Sequence, residues 1–232
     1  MAGKIMQITT ADNQKYNGYL AMPPAGKGPG LVLIQEVFGV NSHIRDVADL
    51  YAMEGFVVLA PDVFFRIKPG IELGYSQKEL DEALGYMQKM DLVQTVSDLS
   101  DAAKALRSLP EVTGKVGAAG YCFGGLLAYL LAANKVIDAG VAYYGGGIDR
   151  NLDKASGISC PLLMHFAEKD KFITMSIVET IKQTIQPKHN IDIYVYPGVD
   201  HGFNCDQRSA YDRKSAMLAY GRSAAFLHSH LE

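Results

Sequence analysis

Residues 116–134 read VGAAGYCFGGLLAYLLAAN, and the fold turns on this stretch. Val116–Gly120 is a short apolar run of the kind that forms a buried strand. Gly124–Asn134 has the character of a helix. Between them stands Gly120-Tyr121-Cys122-Phe123-Gly124, the strand–turn–helix pattern of a nucleophile elbow with cysteine where serine is usual. Glycines two before and two after the cysteine relieve crowding where strand and helix meet. The N–H groups that open the helix point at the cysteine, and their positive end favours a thiolate. The alternative is a structural cysteine buried beside a helix-packing glycine pair, because five residues make a short pattern.

Outward from the elbow the chain alternates. Ala139–Tyr144, Leu162–Phe166 and Asp192–Tyr196 read as strands. Residues 175–186 and Ala210–Leu227 read as helices. Upstream, Lys4–Thr10 and Tyr16–Met22 look like an antiparallel pair that stops at Pro23-Pro24. Leu31–Gln35 is a buried strand, followed by a helix capped at Asn41 or Ser42 with Ile44, Val47, Ala48 and Tyr51 on one face. Phe56–Ala60 is the next strand, and Pro61 ends it. Residues 76–109 carry two helices broken near Met90-Asp91, and the irregular segment 62–75 is placed to cover a site. No repeat or linker divides the chain, so residues 1–232 read as one domain. Strands alternating with helices predict a mainly parallel sheet of about eight strands with helices on both faces, whose ligands sit beyond the carboxyl ends of the strands.

Composition narrows the function classes. The 232 residues are 48% apolar and 20% charged with a net charge of -3, an ordinary globular profile without the basic footprint of a nucleic-acid binder. No apolar run is long enough to span a membrane, and the first residues, MAGKIMQITT, lack a signal-peptide pattern. Three cysteines without paired spacing predict no disulfide framework and a cytoplasmic location. Leu231-Glu232 are set aside as residues a vector could have added. The histidines and cysteines show no metal-ligand spacing, and no dinucleotide or Walker loop occurs, so neither metal nor cofactor is expected.

Candidate partners for Cys122 lie at two other strand ends. Asp170 follows Leu162–Phe166 in the loop Ala167-Glu168-Lys169-Asp170, where Glu168 is a rival acid. His201 follows the strand ending at Tyr196, in Gly198-Val199-Asp200-His201-Gly202-Phe203. The order nucleophile, acid, histidine is that of α/β-hydrolases, so this is the fold expected. His201 can take the thiol proton, and Asp170 can orient the imidazole and stabilise its cation. An oxyanion hole needs two backbone donors, and the N–H groups of Val37 and Phe123 fit the positions. Glu36, at the end of a buried strand, is costly unless paired. Arg45 or another nearby cation is the simplest partner.

The chain resembles the dienelactone hydrolase (carboxymethylenebutenolidase) family from about Leu31 to Phe226. The resemblance rests on Gln35-Glu36-Val37-Phe38-Gly39-Val40-Asn41, Ile44-Arg45-Asp46-Val47-Ala48-Asp49, Ala60-Pro61-Asp62, Gly120-Tyr121-Cys122-Phe123-Gly124-Gly125, Tyr143-Tyr144-Gly145 and His201-Gly202-Phe203. It implies a cysteine-dependent hydrolase that opens a lactone or cleaves an activated ester through a thioester. It also implies that Glu36 interacts with Cys122 at rest and takes its proton when substrate binds. Family enzymes of the chlorocatechol pathway carry a serine directly after the histidine, an arginine a few residues on, and another arginine on the covering segment. Here Gly202 and Cys205 stand at the first two places, and residues 69–88 hold no arginine. Lys68, Lys78 and Arg208 are the cations available to compensate, but none lies at the matching position. The hydrolytic machinery therefore reads as intact and the substrate-carboxylate pocket as lost.

Other readings follow from this one. A broader esterase or thioesterase, or a non-catalytic binding or redox-sensing protein, are the alternatives. The expected partner is a small lactone or ester, and the chain is a monomer or small homo-oligomer. Phe38, Tyr144, Gly202 and Cys205 are candidate pocket residues. Packing explains Tyr144 equally well, and a spectator role explains Cys205. Cys160 and His165 read as core residues, and His43, His189, His228 and His230 as loop or tail residues.

Overall fold

The computed structural model describes residues 3–185 and 190–232, so His189 and the end of the helix read to Gln186 lie outside the described residues. Eight strands form one sheet: β1 (Lys4–Thr9), β2 (Lys15–Ala21), β3 (Gly28–Ile34), β4 (Val57–Pro61), β5 (Val112–Tyr121), β6 (Gly140–Tyr143), β7 (Leu162–Ala167) and β8 (Ile191–Tyr196). Their spatial order is β1-β2-β4-β3-β5-β6-β7-β8. β1 pairs antiparallel with β2, and β2 with β4, while every later pair is parallel. The mainly parallel eight-stranded sheet is the one expected. The chain runs from β3 outward to β4, then returns to place β5 on the other side of β3. That reversal is a topological switch point, and it opens a crevice at the carboxyl ends of β3 and β5.

Among the described residues six α-helices cover the sheet: α1 (Ser42–Met53), α2 (Gln77–Met87), α3 (Leu92–Arg107), α4 (Phe123–Ala133), α5 (Met175–Ile185) and α6 (Arg213–Leu231). The break between α2 and α3 has its cause in Asp91, whose carboxylate accepts from the Val93 and Gln94 N–H groups and caps α3. Asn41, rather than Ser42, caps α1, accepting from Ile44 N–H at 3.2 Å. α4 is apolar all round and almost wholly buried, as a helix packed in the centre of a fold must be. α3 and α4 touch one another, and α1 meets α6 through Tyr51 and Tyr220.

Four readings change. A 3₁₀ segment at Asp149–Gly157 has no counterpart in the apolar periodicity, because it carries few apolar residues. Leu231 is no appendage; it is fully buried and packs where Gly117 lacks a side chain. The closing helix therefore runs four residues further than Leu227, and His228 and His230 belong to it. His43 is not in a loop but in the first turn of α1, where it is buried. Cys160 is half-buried rather than core, since it lies in the turn just ahead of β7.

Candidate active site

Cys122 sits at the junction of β5 and α4 with φ 54° and ψ -115°. A positive φ is unfavourable for a side chain larger than glycine and marks stored strain. The turn is held by the Cys122 N–H, which donates to Tyr143 O at 3.0 Å. The flanking glycines are obligatory on steric grounds. A Cβ on Gly120 would lie 2.0 Å from Gly124 O, and one on Gly124 would lie 2.3 Å from Ile34 O. The second distance shows that the start of α4 presses against the end of β3. Val37 and Phe38, in the turn that follows β3, are buried, as is Phe123 at the start of α4. Gly124→Ala is expected to destabilise the fold by at least about 3 kcal/mol, because backbone rather than a flexible side chain must move. Gly221→Ala, exposed on α6 with open space around it, should stabilise by about 0.5–1 kcal/mol. Urea unfolding of both variants checks the contrast.

His201 and Asp170 reach the elbow from the carboxyl ends of β8 and β7. His201 Nδ1 and Asp170 Oδ2 are 2.7 Å apart, and both side chains are buried. The other carboxylate oxygen, Oδ1, accepts from the Phe172 and Ile173 N–H groups at 2.8 and 2.9 Å. Asp170 is thereby fixed with one oxygen for its own loop and one for the imidazole. Glu168 is exposed and instead accepts from Gly198 N–H at 2.7 Å. Burial works against an imidazolium at His201. The charge of Cys122 outweighs it with help from the Asp170 hydrogen bond, and the pKa of His201 is pushed up to about 10. The rings of Tyr144 and Phe172 lie edge-on to His201 at 5.0 and 5.4 Å, fixing the ring plane. Tyr144 is fully buried, its φ is 36°, and its hydroxyl has no hydrogen-bond partner.

Glu36 is buried behind this group. Arg208 Nη1 lies 3.2 Å from its Oε1, and the Tyr75 hydroxyl donates to Oε2 at 3.3 Å. Arg45 is engaged elsewhere, with Val40 O and the Glu72 carboxylate. The cation is therefore Arg208, one of the three available to compensate though at no matching position. Nor is Glu36 bonded to Cys122 in this conformation, as the resemblance implied; it faces the guanidinium. Arg208 also stacks over Phe38 and Tyr75, 5.7 and 5.8 Å from the ring centres. Burial disfavours its charge, but Glu36 more than compensates and its pKa is raised. The signal for Arg208 was Gly202. Its φ is +81°, and a Cβ there would stand 2.6 Å from Arg208 Nη1. The missing side chain is the space the guanidinium occupies, so the pocket taken to lack arginine contains one.

Tyr75 lies on the covering segment. Leu73 N–H donates to Phe38 O at 2.9 Å, and Asn41 Nδ2 donates to Leu73 O at 3.0 Å, tying that segment over the turn after β3. Cys205 is fully buried; burial first and Glu36 second push its thiol up to about 12. His165 is a core residue, bonded to Ser223 Oγ and Tyr196 OH, and burial lowers its pKa to about 3. A cleft of about 680 Å³ lies apart, between β1, β2 and residues 62–72, and none of Cys122, His201 and Asp170 lines it. No helix among the described residues is long and apolar enough to cross a membrane.

The profile of the family described as "Dienelactone hydrolase family" matches residues 16–231. The chain belongs to the dienelactone hydrolase family. An Azospirillum brasilense protein, provisionally named a carboxymethylenebutenolidase, is 36% identical over 229 residues, covering 97% of this chain and 98% of its own. Carboxymethylenebutenolidase 1 of Cupriavidus pinatubonensis is 30% identical over 223 residues, covering 96% and 95%. Among solved structures, a provisionally named dienelactone hydrolase from Klebsiella pneumoniae superposes with a TM-score of 0.85 at 28% identity, over 99% of this chain and 100% of its own. The fold is that of an α/β-hydrolase, and the family is one of hydrolases.

Proposed function

We propose that this dienelactone hydrolase family member opens an unsaturated lactone, or cleaves an activated ester, with Cys122 as nucleophile and a thioester as intermediate. The observation that carries this reading is the strained elbow cysteine whose charge bears on the imidazole that Asp170 holds at 2.7 Å. The thiolate attacks the carbonyl carbon, and the N–H groups of Val37 and Phe123 receive the developing oxyanion. The ring oxygen leaves as an enolate and His201 returns a proton to it. His201 then takes a proton from water, which attacks the thioester and releases the acid and the Cys122 thiolate.

Arg208 supports an anionic substrate. A carboxylate entering beside it competes with Glu36 for the guanidinium, and displacement frees Glu36 to turn toward the thiol. A thiolate leaves more readily than an alkoxide, so tetrahedral adducts of alkyl esters revert while those of enol esters go forward. The test is a panel of dienelactone, an enol lactone without a carboxylate, an aryl acetate and its ethyl ester. Enol and aryl substrates should turn over at least ~10²-fold faster than the ethyl ester, with the carboxylate-bearing lactone showing the lowest KM. Equal turnover of the ethyl and enol compounds would contradict the cysteine mechanism.

A further inference from the structure

Behind the candidate active site three side chains from distant parts of the chain converge. Glu36 after β3, His43 on α1 and Cys205 beyond β8 are all buried, and each offers one ligand atom within 4.8 Å of the other two. The reaction proposed above uses neither His43 nor the Cys205 thiol.

The state of His43 is the second observation. Its Nδ1 lies 3.1 Å from Asp206 Oδ1, and Asp206 is largely exposed. An ionised carboxylate only accepts, so Nδ1 donates, and the neutral ring is left with a lone pair on Nε2. His43 is 2% exposed, and Nε2 is buried without any hydrogen-bond partner. A buried polar atom without a partner costs about 1–3 kcal/mol, so this position calls for a reason. A histidine whose far nitrogen is fixed by a carboxylate is the usual arrangement of a metal ligand, since it sets the tautomer and raises the basicity of the free nitrogen.

We propose that Glu36, His43 Nε2 and Cys205 Sγ form a zinc site whose occupation inhibits the enzyme. Imidazole, carboxylate and thiolate are the three ligand types zinc takes, and a thiolate selects against magnesium and calcium. Zinc at ~2.0–2.3 Å from each ligand needs the ligand atoms roughly 3.3–3.8 Å apart, so binding requires the three side chains to close in from separations of up to 4.8 Å. As the Zn–S bond forms, the Cys205 proton passes to solvent; no group is oxidised or reduced. Glu36 keeps lone pairs for a metal while it accepts from Arg208 and Tyr75. Coordination anchors it toward His43 and Cys205, so it cannot turn to Cys122. The inhibition, unlike the binding, rests on the function proposed above.

Binding is tested in Cys122→Ala protein, which has no nucleophile to confuse the assignment. Cobalt(II), as a spectroscopic substitute for zinc, should give a thiolate-to-metal charge-transfer band at one equivalent, and zinc should bleach it. Cys205→Ser and His43→Gln, each in that background, should abolish the band. Asp206→Asn, a change at an exposed side chain, should weaken binding by about 10–100-fold. Absence of the band, or its survival in His43→Gln, overturns the site. With the wild-type nucleophile in place, zinc should inhibit reversibly and EDTA should restore turnover. His43→Gln should keep its basal turnover and need at least ~10-fold more zinc for the same inhibition. Equal inhibition of His43→Gln would place the inhibitory zinc elsewhere and overturn the inhibitory role. Failure of the hydrolase reading would instead show as no turnover at all, with the cobalt band intact.

Discussion

Replacing Cys122 with alanine is expected to lower turnover of an enol lactone by on the order of 10⁵-fold or more, which is the scale seen when a covalent nucleophile is removed. Nothing else in the site can take its place. Cys205 is buried with its thiol held protonated, and Cys160 precedes β7 at the other end of the sheet from the elbow. The fold should be unaffected, because alanine occupies the strained φ at no greater cost than cysteine. The same variant carries a second readout. Burial lowers the pKa of His201, and the charge of Cys122 is the largest factor raising it to about 10. Without the Cys122 sulfur, burial is opposed by Asp170 alone and the pKa must fall. Imidazole resonances should titrate near pH 10 in the wild type and well below that in Cys122→Ala. The sign for stability follows. The imidazolium contributes fully below the unfolded histidine value of about 6.5 and loses its contribution as pH rises through about 10. Wild-type stability should therefore fall across that window, and the fall should be smaller in the variant. A titration unchanged by the substitution would mean that Cys122 and His201 do not act as a pair.

What could be read from the chain, and what could not, divides by the range of the interaction. The elbow was legible because its constraints are local. Gly120 and Gly124 are dictated by backbone atoms a few residues away or on the next strand, and the turn residue between them is Cys122. Asp170 and His201 were legible because parallel sheets deliver their loops to one edge, so position after a strand stands in for position in space. Arg208 was not. It reaches Glu36 through a gap defined by the absence of a side chain at Gly202 and by a left-handed turn there. Counting residues from His201 put Cys205 where an arginine was sought, whereas the folded chain brings the guanidinium in from three residues further on. His43 was missed for a related reason. It reads as a loop residue, and only the cap at Asn41 places it in the first turn of α1, where residues 204–208 pack against it beside Glu36 and Cys205. Leu231 was set aside as a residue a vector could have added, yet α6 continues until its last apolar residue fills the space above Gly117.

Asp170→Asn is the second large effect, expected at roughly 10²–10⁴-fold in kcat for the enol lactone. The substitution keeps size and burial. The carboxamide oxygen can still accept from Phe172 and Ile173 N–H as Oδ1 does now, so the loop should hold its shape. The amide nitrogen then takes the place of Oδ2 opposite His201 Nδ1. Two donors cannot pair across 2.7 Å. The imidazole must place its lone pair on Nδ1 and its proton on Nε2, the reverse of what a base facing Cys122 requires. The variant also removes a negative charge that helps raise the pKa of His201, so its imidazolium should give up its proton at lower pH than in the wild type. Glu168→Gln provides the contrast. Its carboxylate is exposed and bonded to Gly198 N–H rather than to the imidazole, and an amide oxygen can make the same bond. Turnover of Glu168→Gln should stay within about twofold of wild type, since surface changes away from the reacting groups perturb little. If Glu168→Gln were the variant that lost activity and Asp170→Asn the silent one, the acid would be misassigned, and with it the orientation of His201 on which the proton transfers depend.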